Sequence, residues 1–238
     1  MKTLLHRIVG TMAVMMASAV ITAPSLLAQE NSGVRFGLKL SPNLSMLRSE
    51  TKELKAAGNT LGYTFGLMTE FPIGGSGNYR FATGLSLNKV GGRTSRDTAT
   101  ISNKVVNNLE TTYKLQYIEL PLTVKMMTNE IGYMRYFAQV GFSAGFNIAA
   151  KADMIYELQP NSTRTEMENE NVMDDINLFR IGLVVGAGAE YNFSGNTSLL
   201  FGITYNNGFT NIANFELAGG KKARLLNNYL ELTVGMFF

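Results

Sequence analysis

The sequence contains no cysteine, and its single histidine, His6, lies close to the first residue. Without cysteine there is no disulfide framework, thiolate metal site or cysteine nucleophile. The chain beyond His6 also lacks the commonest general base and the commonest metal ligand. We therefore predict no catalytic residue, no cofactor and no metal site, and an enzyme is the least favoured class of function.

Charged residues are also scarce, at 16% of the chain, whereas 45% of the residues are hydrophobic. Soluble domains carry about 25% charged residues, and disordered chains are charged and poor in aromatics. The chain has 14 Phe, 10 Tyr and 24 Gly, which excludes disorder. Because the formal charge is only +3, the sequence does not indicate a basic surface for nucleic acid.

The first segment has the pattern of a secretory signal peptide. A basic start with Lys2 and Arg7 precedes an uncharged run from Ile8 to Ala23, which is short for a membrane-spanning helix of roughly 20 residues. The best cleavage position follows Ala28. We predict a cleaved signal peptide over 1–28 and a barrel domain over 29–238, with an uncleaved membrane anchor as the alternative.

Alternation of apolar and polar residues at period two runs through the rest of the chain and predicts eight strands. Short and long connections alternate between them. The short ones are 72–78, 127–132 and 194–196, and the long ones are 43–60, 91–112, 151–177 and 208–225. Outer-membrane barrels have an even number of strands, short periplasmic turns and long outer loops. The predicted fold is an all-β, eight-stranded antiparallel transmembrane up-and-down β-barrel in the outer membrane, with both termini in the periplasm.

The charges in mid-strand indicate which face of the wall meets lipid. A soluble lipocalin-like barrel also alternates, but with its two faces reversed. Here the mid-strand charges share the glycine-rich face, and aromatic residues on the apolar face cluster at strand ends, as expected for girdles at two membrane interfaces. We therefore place the charges in a narrow lumen. The predicted lumen charge network consists of Arg35, Lys39, Glu70, Arg80, Glu119, Lys125, Arg135, Arg180, Glu190 and Glu231.

The strand that contains Glu119 changes its pattern midway. Its lower part has apolar residues at even positions, and its upper part has them at odd positions. These upper residues are Tyr113, Leu115 and Tyr117. A β-bulge between Tyr117 and Pro121 would reconcile the two parts. Glu119 is either a proton or ion ligand or, as we favour, part of a lumen ion pair with an arginine of a neighbouring strand, for example Arg135 or Arg80, because an unpaired buried charge is expensive.

Two of the long connections are charged. The connection over 151–177 is acidic, but its spacing matches no calcium loop, so we favour a solvated acidic loop over a divalent-cation site. The last connection carries Lys221, Lys222 and Arg224, which could meet lipopolysaccharide phosphates or the acidic loop. An ordinary solvated cluster is the favoured interpretation.

Several segments resemble known outer-membrane barrels. The run Tyr229–Phe238, YLELTVGMFF, is similar to their terminal strand, which implies that Phe238 is a signal for the barrel-assembly machinery. The segment Leu115–Lys125, LQYIELPLTVK, with the turn 128–132 and the strand 136–141, resembles the PorT-like outer-membrane barrel family of Bacteroidota. The resemblance implies eight antiparallel strands and brings no catalytic residues.

The same resemblance implies a non-enzymatic protein of the outer membrane with an accessory role in type IX protein secretion. The alternative is a small autonomous porin-like or surface barrel with a narrow or closed lumen, since wide channels need about 16 strands. The expected partners are outer-membrane lipid, lipopolysaccharide, the barrel-assembly machinery and other envelope or secretion proteins, but no nucleic acid.

Overall fold

The computed structural model describes residues 33–75, 77–101, 104–158, 163–194, 197–217 and 220–238. The predicted signal peptide over 1–28 lies outside these residues. Within the described ranges, no helix is both long and apolar enough to cross a membrane.

The described residues form nine antiparallel strands. These are β1 (Arg35–Ser49), β2 (Lys55–Pro72), β3 (Tyr79–Ile101), β4 (Lys104–Met127), β5 (Met134–Leu158), β6 (Thr163–Asn171), β7 (Phe179–Ser194), β8 (Thr197–Gly208) and β9 (Leu225–Phe237). Eight of them close a ring in the order β1–β2–β3–β4–β5–β7–β8–β9, with β9 paired to β1. The predicted eight-stranded up-and-down barrel is confirmed. The ninth strand, β6, was not predicted; it pairs with the outer part of β5, outside the ring.

Period-two alternation builds the two faces of the wall. On β4 the even-numbered residues from Ile118 to Met126 are exposed, while Glu119, Thr123 and Lys125 between them are buried inside the barrel. The other ring strands repeat this pattern, so a continuous apolar band faces outward, as expected for a wall that lipid surrounds. We call this band the apolar belt. Its members include Leu38, Leu40, Phe65, Leu67, Ile118, Leu120, Leu122, Val140, Phe142, Ile148, Ile181, Val185, Phe201, Ile203, Leu232 and Val234.

The two ends of the barrel differ in length. Residues 128–133 make a tight connection, and β2 and β3 are joined by a short one of which 73–75 and 77–78 are described, at the end where β1 starts and β9 finishes, which we call the short-turn end. At the opposite, outer end, β3 and β4 stay paired as far as Ile101 and Lys104, and β4 pairs with β5 as far as Leu158. We call the outer parts of β3, β4 and β5, together with β6, the projecting sheet. The connections expected at 91–112 and 151–177 are therefore largely strand. Their apolar residues are few and bury only the small cluster of Val106, Leu109 and Tyr156, so the sequence there shows no clear apolar alternation.

The bulge expected on β4 lies on β5 instead. Odd-numbered residues of β4 point inward without a break from Leu109 to Met127. On β5, Ala149 pairs with Gln116 but the next pair joins Asn147 to Tyr117, so one residue of β5 is extra. From that point the inward positions of β5 change from odd to even. The predicted position on β4 is wrong because the apolar residues at odd positions of upper β4 face the interior rather than lipid.

These inward residues belong to an apolar core that fills the outer mouth. Tyr113, Leu115 and Tyr117 pack with side chains from the connections that precede β7 and β9, including Ile176 and Ile212. We call these connections, 172–178 and the described parts of 209–224, the outer lid. Their backbones are tied together, since the Asn177 amide donates to the Ile212 carbonyl at 2.8 Å and the Ile212 amide donates to the Leu225 carbonyl at 2.9 Å.

Candidate functional site

The lumen near the short-turn end holds a closed set of ion pairs around Lys125. Its Nζ donates to Oε1 of Glu70 at 2.6 Å and also to Oε1 of Glu190. Arg35 bridges the same two carboxylates, with its Nη2 3.0 Å from Oε2 of Glu70 and 2.7 Å from Oε2 of Glu190. Arg80 adds a longer contact, 3.9 Å from its Nε to Glu70. Glu70 therefore contacts three cations and Glu190 contacts two.

This set forms because a narrow ring brings distant strands together. Arg35 and Glu70 are register partners on β1 and β2, whereas Lys125 comes from β4 and Glu190 from β7. An eight-stranded barrel leaves space inside for side chains alone. Burial of a charge is costly unless it is paired and hydrogen-bonded, and the Lys125 side chain is only 1% exposed. The pairing is what makes these charges tolerable in the lumen.

A second pair occupies the middle of the lumen. Nζ of Lys39 donates to Oε1 of Glu231 at 2.7 Å. Two hydroxyl groups also donate to this carboxylate, Thr64 at 3.2 Å and Thr233 at 3.1 Å. The carboxylate is thus held by one charged and two neutral donors.

The third group lies closer to the outer end and centres on Glu119. Arg180 Nη1 donates to its Oε1 at 2.9 Å, and the Tyr229 hydroxyl donates to its Oε2 at 2.6 Å. Asn88 Nδ2 adds a contact of 3.1 Å, and Arg180 Nη2 donates to Asn206 Oδ1 at 2.6 Å. The expected lumen ion pair of Glu119 with an arginine is present, but its partner is Arg180 on β7, which is not a neighbouring strand, and neither Arg135 nor Arg80. Alternation shows which residues face the lumen, but the height of each one depends on the register of every strand between them.

Nine of the ten residues in the predicted network lie in these three groups, and Arg135 does not. Its side chain is 38% exposed and lies 3.4 Å from Glu130 in the turn that precedes β5. Sequence reasoning missed the neutral members, above all Tyr229 and Asn88. Their positions could have identified them, because along their strands both alternate in step with the residues that point into the lumen.

Apolar side chains close this polar interior at both ends of the barrel. At the short-turn end Met127, Phe137, Leu200 and Phe237 form a buried cluster, which we call the inner plug. Lys125 Nζ lies 4.2 Å from the ring centre of Phe137, and the Arg35 guanidinium lies 4.2 Å from that of Phe237, so cation–π contacts join the plug to the ion pairs. The core beneath the outer lid bounds the other side.

A small cavity of about 90 Å³, lined by polar and apolar side chains, remains between the inner plug and the core beneath the outer lid. Lys39, Glu119, Glu231 and Tyr229 are among the residues that line it, and each of these polar groups already has a partner within the protein. The described residues contain no cluster of acidic or histidine side chains that could hold a metal ion. The arrangement is suited to holding the wall together and leaves little room for a solute.

Outside the membrane, the basic residues of the last connection pair with the turn between β1 and β2. Arg224 lies 2.9 Å from Glu50, and Lys221 lies 2.8 Å from Glu53. A hydrogen bond from Arg48 holds the pKa of Glu50 below its usual value. The structure therefore does not show the alternative in which Lys221 and Arg224 contact the acidic segment 151–177.

Phe238, the predicted assembly signal, lies at the short-turn end. Its amide donates to the Phe36 carbonyl at 2.9 Å, and its side chain is exposed on the outward face. This geometry leaves the ring accessible from the lipid side. Recognition by the assembly machinery stays a prediction.

Comparison with known proteins places the chain among outer-membrane barrels. A family model described as "Outer membrane protein beta-barrel domain" matches residues 27–214. Neisserial surface protein A is similar in structure, with 16% identity, 88% of this chain and 98% of that chain covered, and a TM-score of 0.43. OprG from Pseudomonas aeruginosa has 11% identity, coverage of 86% and 94%, and a TM-score of 0.41. Ail of Yersinia pestis has 12% identity, coverage of 86% and 98%, and a TM-score of 0.37. None of the curated proteins matches the chain. Likenesses this distant carry no argument about function.

Proposed function

We propose that this chain, which belongs to the outer membrane protein beta-barrel domain family, is a closed membrane anchor that displays the projecting sheet at the outer end of the barrel. Family membership makes it an integral barrel of the outer membrane. A surface barrel with a closed lumen is favoured over a solute channel.

The filled lumen is the observation that carries this proposal. The inner plug, the ion pairs around Lys125 and the core beneath the outer lid succeed one another along the barrel axis. Removing one partner of a buried ion pair costs about 3–5 kcal/mol. Opening a path through the ion pairs and both apolar clusters is therefore strongly opposed. A solute would have to break each layer in turn.

The projecting sheet supports the second half of the proposal. Beyond the register pair of Lys89 and Gln116, β3 and β4 continue for twelve residues each, or roughly 40 Å at the usual rise per residue. β5 and β6 extend this surface sideways. A rigid sheet loses less conformational entropy on binding than mobile loops do, which suits a contact surface. An accessory role in protein secretion, implied by the PorT-like resemblance, would be one use of that surface.

Conductance in planar lipid bilayers tests the closed anchor. The purified protein should produce no stepwise currents under conditions in which an open trimeric porin, reconstituted in parallel, does so. Reproducible current steps from the wild-type protein, absent from detergent blanks, would overturn the proposal.

Affinity purification from native outer membranes in mild detergent tests the display role. A protein bound in stoichiometric amounts should disappear when residues 95–108 are replaced by a short turn, while the shortened barrel keeps its heat-modifiable migration. Recovery of the same partner with the shortened barrel would exclude the projecting sheet as the contact surface. Deletion of the whole protein, followed by measurement of exported proteins, decides on the secretion role.

A further inference from the structure

Four cationic side chains lie together on the outward face of neighbouring strands, just beyond the apolar belt. They are Lys89 and Arg93 of β3, Lys114 of β4 and Lys151 of β5, and we call them the cationic group. Their flanking residues are buried toward the interior, so the four side chains point away from it. Lys89 is the register partner of Tyr63, and its Nζ lies 5.9 Å from the Tyr63 ring centre. The group thus begins level with the aromatic residues at the outer margin of the belt.

The cross-strand register brings these charges unusually close. Lys114 lies directly opposite Lys151 on β5. On the other side Lys114 lies opposite Gly91, so Lys89 and Arg93 are its two diagonal neighbours. Directly opposed side chains have Cβ atoms about 5 Å apart, and diagonal ones lie about 7–8 Å apart. Like charges in direct opposition destabilise a sheet, and an anion held between them would remove that cost.

The protein itself supplies little compensating charge. Asp153 is the acidic partner in this region, and it contacts Lys114 at 2.5 Å. Among the described residues, none forms an ion pair with Lys89, Arg93 or Lys151, whereas Arg48, Lys55, Lys221 and Arg224 at this end each have an acidic partner. Three positive charges therefore face outward without an ion-pair partner, and the nearby Asp153 is engaged with Lys114.

At the opposite margin of the belt, the part of the chain that the structure describes contains no comparable group of cations. The outward residues at the short-turn end are apolar, aromatic or uncharged, and they include Tyr79, Met126, Tyr136 and Tyr191. The cations of that end, Arg35 among them, point into the lumen or, in the case of Arg135 on β5, contact Glu130 in the preceding turn. Positive charge on only one lipid-facing margin matches a bilayer with strongly anionic headgroups in one leaflet.

We propose that the cationic group is a binding site for the phosphate groups of a glycolipid of the outer leaflet, the lipid A part of lipopolysaccharide. Arg and Lys are the side chains that bind phosphate, Arg with two parallel hydrogen bonds and Lys as a point charge. Phosphates at the headgroup level would lie among the four cations. The acyl chains would lie along the adjacent belt, on Ile118 and Ile148, which are both exposed.

The test compares two triple variants with the same loss of charge. The first is Lys89→Gln/Arg93→Gln/Lys151→Gln, in the cationic group. The control is Lys52→Gln/Lys55→Gln/Lys222→Gln, whose residues are exposed at the outer end but lie away from the belt. Heat-modifiable migration first establishes that each variant is folded. Native mass spectrometry then measures binding of bisphosphorylated lipid A, fully dephosphorylated lipid A and inorganic phosphate to the proteins in detergent.

Wild type and control should retain bisphosphorylated lipid A, and the first variant should bind it at least about tenfold more weakly, since each basic residue near an anionic surface adds to affinity. Dephosphorylated lipid A should show the same loss with the wild-type protein. Equal weakening in both variants would mean that net charge alone attracts the lipid. Equal binding of dephosphorylated lipid A would mean that the acyl chains alone bind. Displacement of the lipid by micromolar inorganic phosphate would make this a free-anion site. Each of these three results overturns the proposal, whether or not the barrel conducts.

Discussion

Arg180 on β7 donates a 2.9 Å hydrogen bond to Glu119 on β4, although β5 lies between these two strands in the barrel wall. The Arg180 side chain is completely buried and that of Glu119 is 4% exposed. The contact passes over Gly145 of β5, the register partner of both residues, and connects two strands that share no backbone hydrogen bonds. Stability and closure of this barrel should therefore depend on residues inside the lumen as much as on the strand ladders.

Replacement Arg180→Met should destabilise the barrel by about 3–5 kcal/mol, because it leaves Glu119 charged and without its cation. The double variant Glu119→Gln/Arg180→Met should recover a substantial part of this loss, since neither charge remains. Urea unfolding in lipid vesicles, arranged as a double-mutant cycle, measures the coupling. Lys55→Met, which removes an exposed pair with Asp97, is the control and should leave the unfolding midpoint essentially unchanged. Strict additivity of the two lumen substitutions would show that the pair does not act as a unit.

Replacement Gly186→Arg should prevent correct folding. A Cβ atom at Gly186 would lie 2.8 Å from Oγ1 of Thr204 and 3.0 Å from Nε2 of Gln139, before the rest of the arginine is considered. Gly75→Arg provides the matched control, because nothing lies within 4 Å of a Cβ at that turn position. Heat-modifiable migration on gels reports the folded barrel. We expect it to be lost for Gly186→Arg and kept for Gly75→Arg; a folded Gly186→Arg barrel would contradict the inward assignment of this face.

Replacement Asn211→Ala should loosen the outer lid. The Asn211 side chain donates to the carbonyls of Ala213 and Ala223 and accepts from the amides of Ala213 and Leu225. Losing these four hydrogen bonds, each worth about 1 kcal/mol, should favour opening of the lid.

Because the chain has no cysteine, Ser143→Cys introduces a unique reporter beside the lumen cavity. A water-soluble maleimide should label it slowly in the parent and at least about tenfold faster with Asn211→Ala. Asn59→Ala, at an exposed position of β2, is the control. Rapid labelling of the parent itself would mean that the lid does not close the lumen.

Acid should loosen β6 from the projecting sheet. The hydrogen bond from Lys114 holds the pKa of Asp153 below its ordinary value of about 3.9, while Asp153 in turn accepts the Asn169 amide at 2.9 Å. A carboxyl whose folded-state pKa is lowered stabilises the fold above its unfolded pKa, and this contribution is lost as the pH falls through the folded value. Hydrogen-exchange protection at Asn169 should therefore decrease between pH 5 and pH 3. The variant Asp153→Asn should show no such decrease, and an identical acid response in this variant would exclude Asp153 as the cause.

The residues of β4 show how far the sequence alone could lead. From Ile118 to Met126, polar and apolar residues alternate with one face in lipid and the other in the lumen, and both environments were predicted. In the upper half of β4, Tyr113, Leu115 and Tyr117 are equally apolar, but they face a protein core instead of lipid. Apolar character indicates burial from water and does not distinguish these two surroundings. The bulge was therefore assigned to the wrong strand.

The strand β6 is a second element that the sequence alone did not predict. Its sequence, TRTEMENEN, is acidic and mostly exposed, so no apolar face reveals a strand. Hydrogen bonds to β5, together with the packing of Met167 against Val106, Leu109 and Tyr156, make it a strand, and this pairing depends on an edge that only the folded barrel presents.

Period-two alternation by itself determined the ring of eight strands, the face that meets lipid and the set of charges that enters the lumen. These properties are local, since each residue's parity decides its side of the wall. The tertiary structure decided the partners of those charges, the closure of both ends of the lumen and the projecting sheet. It also decided the grouping of Lys89, Arg93, Lys114 and Lys151. They depend on the register between strands, which sets the position of every side chain along the barrel axis. Register results from contacts among many strands, so no single segment of the sequence determines it.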